Sequence, residues 1–287
     1  MRVLVAIDRR EPQGVSQAAP WLERWASKAD LLYVAPAPPI PPPDVPGDAG
    51  VLLQHAWDQM YEEDRGEVAR LLALLPERVR GVATVRYGSP AAEIVAEAEV
   101  YDLVVVGTHG RTGLEAVWLG SVAEKVLRTC SKPVFVFRPG ELLAPPRVLL
   151  ALDLDDAPER LIALAVPFVQ RLGGVLDLAS ADTLPVVLPV LADPGANILL
   201  SEHVRREEER REQQLGELVA QLPAAVRGNW RLVIGRAPVP AMIDLAPAYA
   251  MLVCGTHGRT GVSRILMGSV AERLVRAAPV PVLILRP

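Results

Sequence analysis

The segment Val104–Gly113, Val-Val-Val-Gly-Thr-His-Gly-Arg-Thr-Gly, returns almost unchanged at Leu252–Gly261, 148 positions further on. The run Gly120-Ser121-Val122-Ala123-Glu124 returns at the same offset as Gly268-Ser269-Val270-Ala271-Glu272. Nearer the start, Val3–Asp8 aligns with Val148–Asp153 at an offset of 145, so about three residues have been inserted in between in the second copy. The four histidines obey the duplication, His55 with His203 and His109 with His257. A period this long exceeds any solenoid unit, so each copy is expected to be a domain. The length of 287 residues agrees with two domains. The polar, proline-bearing stretch at residues 140–145 is read as the join, leaving domains at 1–139 and 146–287.

Short apolar runs alternate with helical patterns in each half. In the first, strands are predicted at residues 2–7, 31–35, 84–87, 103–107 and 133–138, and helices near 15–29, 52–75, 91–98 and 122–130. Strands that are apolar throughout, such as Leu103–Gly107, are suited to burial on both faces. Their alternation with helices predicts an α/β fold with a doubly wound parallel sheet. The proline-rich segment at residues 36–46 is read as a stiff, extended connection. Ligands of such sheets gather beyond the carboxyl ends of the strands, where the winding reverses. Asp8 and Gly107 stand at such ends.

Composition narrows the partners. Apolar residues make up 51% and charged residues 22%, which excludes the disordered and fibrous classes. A net charge of −4 gives no electrostatic reason to expect nucleic acid or an anionic membrane surface. No apolar run approaches the roughly 20 residues needed to cross a bilayer. The opening Met1–Asp8 reads as a strand rather than a secretory leader, so a cytoplasmic location is expected. Cys130 and Cys254 fall at unrelated places in the two halves, which argues against a structural disulfide.

Each half carries Gly-x2-Gly-x9-Gly-Ser: Gly107, Gly110, Gly120 and Ser121, then Gly255, Gly258, Gly268 and Ser269. Glycines after a strand let backbone approach a ligand and take positive φ. A Gly-Ser pair opening a helix offers free N–H groups and the positive dipole end to a phosphate. The pattern is neither a Walker loop nor the dinucleotide fingerprint. With the first strand ending in Asp8 or Asp153, it resembles the universal stress protein family over essentially the whole chain, as two family domains in tandem.

That resemblance implies a five-stranded parallel sheet in each domain, of the adenine nucleotide alpha hydrolase-like type. It also implies stress-related service in the cytoplasm, dimeric association and, in the subgroup marked by this glycine pattern, bound ATP, with Mg²⁺ arriving alongside it. The fused copies would then form an internal pseudo-dimer, with a further homodimer open. Carried over by motif, Asp8 and Asp153 take the nucleoside side and the Val34 backbone the adenine edge. Gly107, Gly110, Gly120, Ser121 and Val122 take ribose and phosphates, as do Gly255, Gly258, Gly268, Ser269 and Val270. Arg111 and Arg259 follow the loop and stand either against the γ-phosphate or in solvent. The second copy is read as placing Ala179 where the first has Val34.

Plainer roles stand beside these. Ser121 with Glu124, and Ser269 with Glu272, match the capping box of a helix start. Asp8 and Asp153 could cap the turn that follows them, and His109 and His257 could be solvent-facing turn residues. The run His203–Gln214 reads as a solvated helix of Glu and Arg at i,i+4 spacing. Arg9 and Arg10 follow the first acid, whereas Asp155 and Asp156 follow the second, so the second site is expected to need Mg²⁺ more. Three functions compete: an ATP-binding regulatory module, which the paired glycine loops favour, a slow ATPase or phosphotransferase, and a nucleotide-free interaction protein.

Overall fold

A computed structural model describes residues 1–8, 12–37, 47–107, 119–140, 142, 144–183, 194–256 and 267–287. The chain divides into two units, Met1–Pro139 and Gly140–Pro287. The first contains β1 (Arg2–Ile7), α1 (Pro12–Trp25), β2 (Lys28–Ala35), α2 (Gly47–Leu72), β3 (Arg80–Tyr87), α3 (Pro90–Ala98), β4 (Leu103–Gly107), α4 (Ser121–Thr129) and β5 (Val134–Phe137). The second repeats this order: β6 (Arg147–Leu152), α5 (Pro158–Leu172), β7 (Val175–Asp182), α6 (Pro194–Gln221), β8 (Arg227–Ile234), α7 (Pro238–Leu245), β9 (Met251–Gly255), α8 (Ser269–Ala277) and β10 (Val282–Leu285).

In the first unit the strands run parallel in the order β3-β2-β1-β4-β5. In the second the order is β8-β7-β6-β9-β10, again parallel. The winding reverses between β1 and β4, and between β6 and β9. Central strands read as continuous apolar runs because helices cover both faces: Val3, Leu4, Val104 and Val105 are all buried. Trp21 and Trp25 of α1 pack on Phe135 of β5, with ring centroids 5.1 and 4.9 Å apart. Both cysteines are buried and reduced, and burial pushes the Cys254 thiol up to about 12.

Several boundaries differ from expectation, among them α2, which begins at Gly47 rather than 52, and β2, which begins at Lys28 rather than 31. The first helix ends at Trp25, not Ala29, because Ser27 donates its N–H to the Met1 carbonyl at 2.8 Å and Lys28 already pairs with Arg2. The third strand begins at Arg80, four residues before the predicted Thr84.

That early start rests on a buried carboxylate the sequence did not advertise. Asp30 sits at an irregularity of the β2–β3 ladder, and its Oδ1 accepts the Val82 N–H at 2.7 Å. Its Oδ2 accepts the Tyr101 hydroxyl at 2.8 Å and the Arg2 guanidinium at 3.4 Å. The second unit repeats the network with Asp177, Asn229, Tyr249 and Arg147. Gly81 and Gly228 make room for it: a Cβ at either would overlap the Asp Oδ1 and stand 2.8 or 2.6 Å from the Ala29 or Leu176 carbonyl oxygen.

Burial, then the bond to Asp30, pushes the Tyr101 phenol up to about 12 from its ordinary 10. The folded state thus favours the neutral phenol, and the stability it contributes is complete below pH 10 and lost as pH rises toward 12. Tyr101→Phe should cost about 1 kcal/mol at neutral pH. In urea titrations its deficit against wild type should narrow above pH 10 and level off near pH 12.

Candidate functional site

Asp8 follows the end of β1 and Gly107 closes β4, on the two strands that flank the reversal of winding; Ala6 pairs with Val106 one step below. Beyond these ends lies a cavity of about 480 Å³, within the range of small-molecule and cofactor sites. Asp8, Val34, Gly107, Gly120, Ser121 and Val122, six of the residues singled out above, all line it. Its further wall is the small-residue face of α1, Gly14 and Ala18, which the sequence reading passed over. Tyr33 also faces it. At the end of β3 the Tyr87 hydroxyl donates to Asp64 of α2 at 3.1 Å, and Tyr61 of α2 packs on the Tyr87 ring at 4.3 Å. Burial and the Asp64 carboxylate push the Tyr87 phenol well above its ordinary value.

The capping boxes do not form. Gly120 is the N-cap of α4, with extended φ −62° and ψ 148°, and Ser121 is the first helical residue. Gly268 and Ser269 repeat this at α8, and neither helix has a side-chain cap. Glu124 and Glu272 turn away to pair with Arg128 and Arg276, each at 3.2 Å. The helix starts therefore keep backbone N–H groups and positive dipole ends for an anion, without a carboxylate folded over them.

Positive φ is also not what the described motif glycines supply, since Gly107, Gly120, Gly255 and Gly268 all avoid the left-handed region. They supply clearance. Gly268 donates its N–H to the Thr256 carbonyl at 2.7 Å, and a Cβ there would stand 2.9 Å from that oxygen. Gly110, Arg111, Gly258, Arg259, His109, His257, Arg9 and Arg10 lie outside the described residues.

In the second unit Asp153, Gly255, Gly268, Ser269 and Val270 occupy the corresponding strand ends and helix start. The register corrects one assignment. Ile7 pairs with Tyr33 and Leu152 with Ser180, so the counterpart of Val34 is Ala181, not Ala179. Two of the three inserted residues fall between β6 and α5, and the third between β8 and α7. The loop after β6 is tightly tied. Asp153 Oδ1 accepts the Asp155 N–H at 3.1 Å, and Leu154 is buried with its carbonyl taking Gln214 Nε2 at 3.1 Å.

Arg211 corrects the reading of a wholly solvated helix. Its side chain is 8% exposed and pairs with Asp155 at 3.2 Å, Asp182 at 2.8 Å and Glu207 at 3.2 Å. Arg210, with Arg211 behind it, holds the Glu207 carboxyl below the usual range. Other members of the run, such as Arg205 with Glu209 at 2.7 Å, do lie in solvent. The spacing Arg211, Leu215, Leu218, Leu222 places Arg211 on the buried face, and that was the signal available. Asp155 is thus drawn to a guanidinium rather than standing open for Mg²⁺. Among the described residues no group of three or more His, Cys, Asp or Glu could hold a metal ion.

The sequence profile of the universal stress protein family matches residues 1–138 and again 146–286. The chain belongs to the universal stress protein family. It is similar to a universal stress protein of Mycobacterium tuberculosis, 26% identical over 269 residues, covering 88% of this chain and 83% of the relative. A universal stress protein of Mycolicibacterium smegmatis is 26% identical over 284 residues, covering 92% of each chain. The solved structure of a universal stress protein from Archaeoglobus fulgidus shares the fold, with a TM-score of 0.67 at 19% identity over 99% of this chain and 98% of that one. The fold is accordingly of the adenine nucleotide alpha hydrolase-like kind. No helix among the described residues is long and apolar enough to cross a membrane.

Within this universal stress protein the two strand-end regions share a frame and differ in side chains. Where α6 presents buried Arg211, α2 presents buried Asp64. Replacing Arg211 by Ala leaves three partly buried carboxylates without their shared cation. It should lower stability by about 2 kcal/mol, allowing for partial screening. A fall in urea midpoint, smaller for Arg211→Lys, is the expected result.

Proposed function

We propose that this universal stress protein binds ATP in the cavity of its first domain, residues 1–139, and acts in the cytoplasm as a regulatory module whose occupancy is the signal. The observation that carries this is the convergence on one cavity of the first-strand acid, the strand-end glycine and the Gly-Ser helix start. In that reading Asp8 holds the ribose hydroxyls and the Val34 backbone meets the adenine edge. Gly107, Gly110, Gly120, Ser121 and Val122 surround ribose and phosphates, and Arg111 and Mg²⁺ balance phosphate charge. A start of α4 with neither a side-chain cap nor a folded-back carboxylate supports an anionic ligand. The cavity's apolar base, which includes Val5, Leu32 and Val105, supports a flat base such as adenine. The second domain, residues 146–287, carries the motif at Asp153, Gly255, Gly258, Arg259, Gly268, Ser269 and Val270 around a differently packed strand end.

Isothermal titration with ATP and Mg²⁺, followed by product analysis over hours, tests the reading. Heat of binding with ATP recovered intact is expected. Steady release of ADP would make the protein a slow ATPase, and absence of binding would leave an interaction module. Gly107→Val adds a branched side chain at a position where a Cβ meets nothing within 4 Å, so the fold should survive. ATP binding to the first domain should fall at least tenfold; unchanged affinity would remove Gly107 from the site.

A further inference from the structure

The two domains have the same glycine motif but not the same space behind it. Their first helices align through their buried faces: Val15, Ala18, Trp21, Leu22 and Trp25 recur as Ile162, Ala165, Phe168, Val169 and Leu172, each 147 positions on and each buried. Gly14 therefore corresponds to Leu161. In the first domain Gly14 lines the cavity, and a Cβ built on it or on Gly107 meets nothing within 4 Å. In the second, both terminal methyl groups of Leu161 lie 3.5 Å from where a Cβ of Gly255 would stand. Leu161 is itself 8% exposed. The space beside Gly107 above β4 is open, whereas the space beside Gly255 above β9 holds Leu161, with Pro287 Cγ 3.7 Å away.

We infer that nucleotide enters the first domain only, and that Leu161 is the residue that keeps it out of the second. This rests on the reading of the first cavity as the ATP site. A second observation points the same way. The loop after β6 folds back on itself, with Asp153 Oδ1 accepting the Asp155 N–H. That loop is then held to α6 through Leu154 with Gln214 and through Asp155 with Arg211, while Arg211 also binds Asp182 at the end of β7. A nucleoside approaching the ends of β6 and β7 meets a leucine side chain and a closed ion-pair cluster. One approaching β1 and β2 meets the cavity wall at Gly14, where the second domain has Leu161.

The chain then combines one sensing domain with one domain that keeps the fold and the motif without the ligand. Calorimetric stoichiometry of the full chain with Mg²⁺ and ATP tests this. Wild type should take one nucleotide per chain. Gly14→Leu, which transfers the second domain's side chain to the first, should take none. Leu161→Ala should take two, and the double variant one, at the second site. Circular dichroism and urea midpoints on the same samples show whether each variant is folded. Two nucleotides in wild type overturn the inference, and a folded Leu161→Ala that stays at one removes Leu161 as the cause. No binding by wild type overturns the nucleotide reading of the first cavity, and the inference with it, an outcome distinct from both.

Discussion

Each domain is organised by a carboxylate buried at the amino end of its sheet. Asp30 and Asp177 stand where the second and third strands slip register, and each accepts a backbone N–H of the third strand and the hydroxyl of a tyrosine just ahead of the fourth, with an arginine alongside. A buried charge is tolerated only when its lone pairs are filled, and here they are. The arrangement joins the starts of four strands through one side chain, reinforced by Arg2 over the Tyr101 ring at 4.7 Å and Arg147 over that of Tyr249 at 5.2 Å. Because the amino end is closed in this way, ligand chemistry is left to the carboxyl end, where the strands open into loops and helix starts.

The two ends of the sheet have diverged at different rates. The amino-end network is the same in both copies, residue for residue, apart from Asn229 in place of Val82, which contributes only its backbone. Asp102 is an addition rather than a replacement: its carboxylate takes the Arg2 N–H at 2.7 Å, whereas Ala250 keeps only the backbone bond to Arg147. At the carboxyl end the differences reverse charge and size. Asp64 faces Arg211 across the alignment, Gly14 faces Leu161, and Ala35 faces Asp182. The frame constrains the first set through packing, while the second set answers to whatever occupies the strand ends.

The duplication made the fold readable. A repeat of the strand-end motif implied two domains, and continuous apolar runs such as Leu103–Gly107 implied parallel strands covered on both faces. The strand-end acid, the glycines and the helix-start serine were legible because they are contiguous in sequence. What was hidden depended on contacts between segments far apart. Ser-x-x-Glu looks like a capping box, but here the glycine takes the cap position and the glutamates find arginines one turn on. Arg211 was obscured by its charged neighbours, although its spacing to Leu215 and Leu218 marks the inner face. The cavity wall at Gly14 and Ala18 had no motif at all, since small residues on a helix announce nothing until the opposite wall is known. The offset within the second copy shifts between β6 and β7, which is why Ala181 was missed.

The slip in register at Asp30 also bears on self-association. β3 lies at the edge of its sheet in the first domain, and β8 holds the same place in the second. An exposed edge of regular strand invites a second chain to add to it, the route by which parallel sheets aggregate. A local irregularity twists the edge, and Arg80 on β3 and Arg227 on β8, each bonded to backbone carbonyls of the preceding turn, put positive charge at its start. The carboxylate that closes the amino end thus also disrupts the template that edge would offer to another molecule.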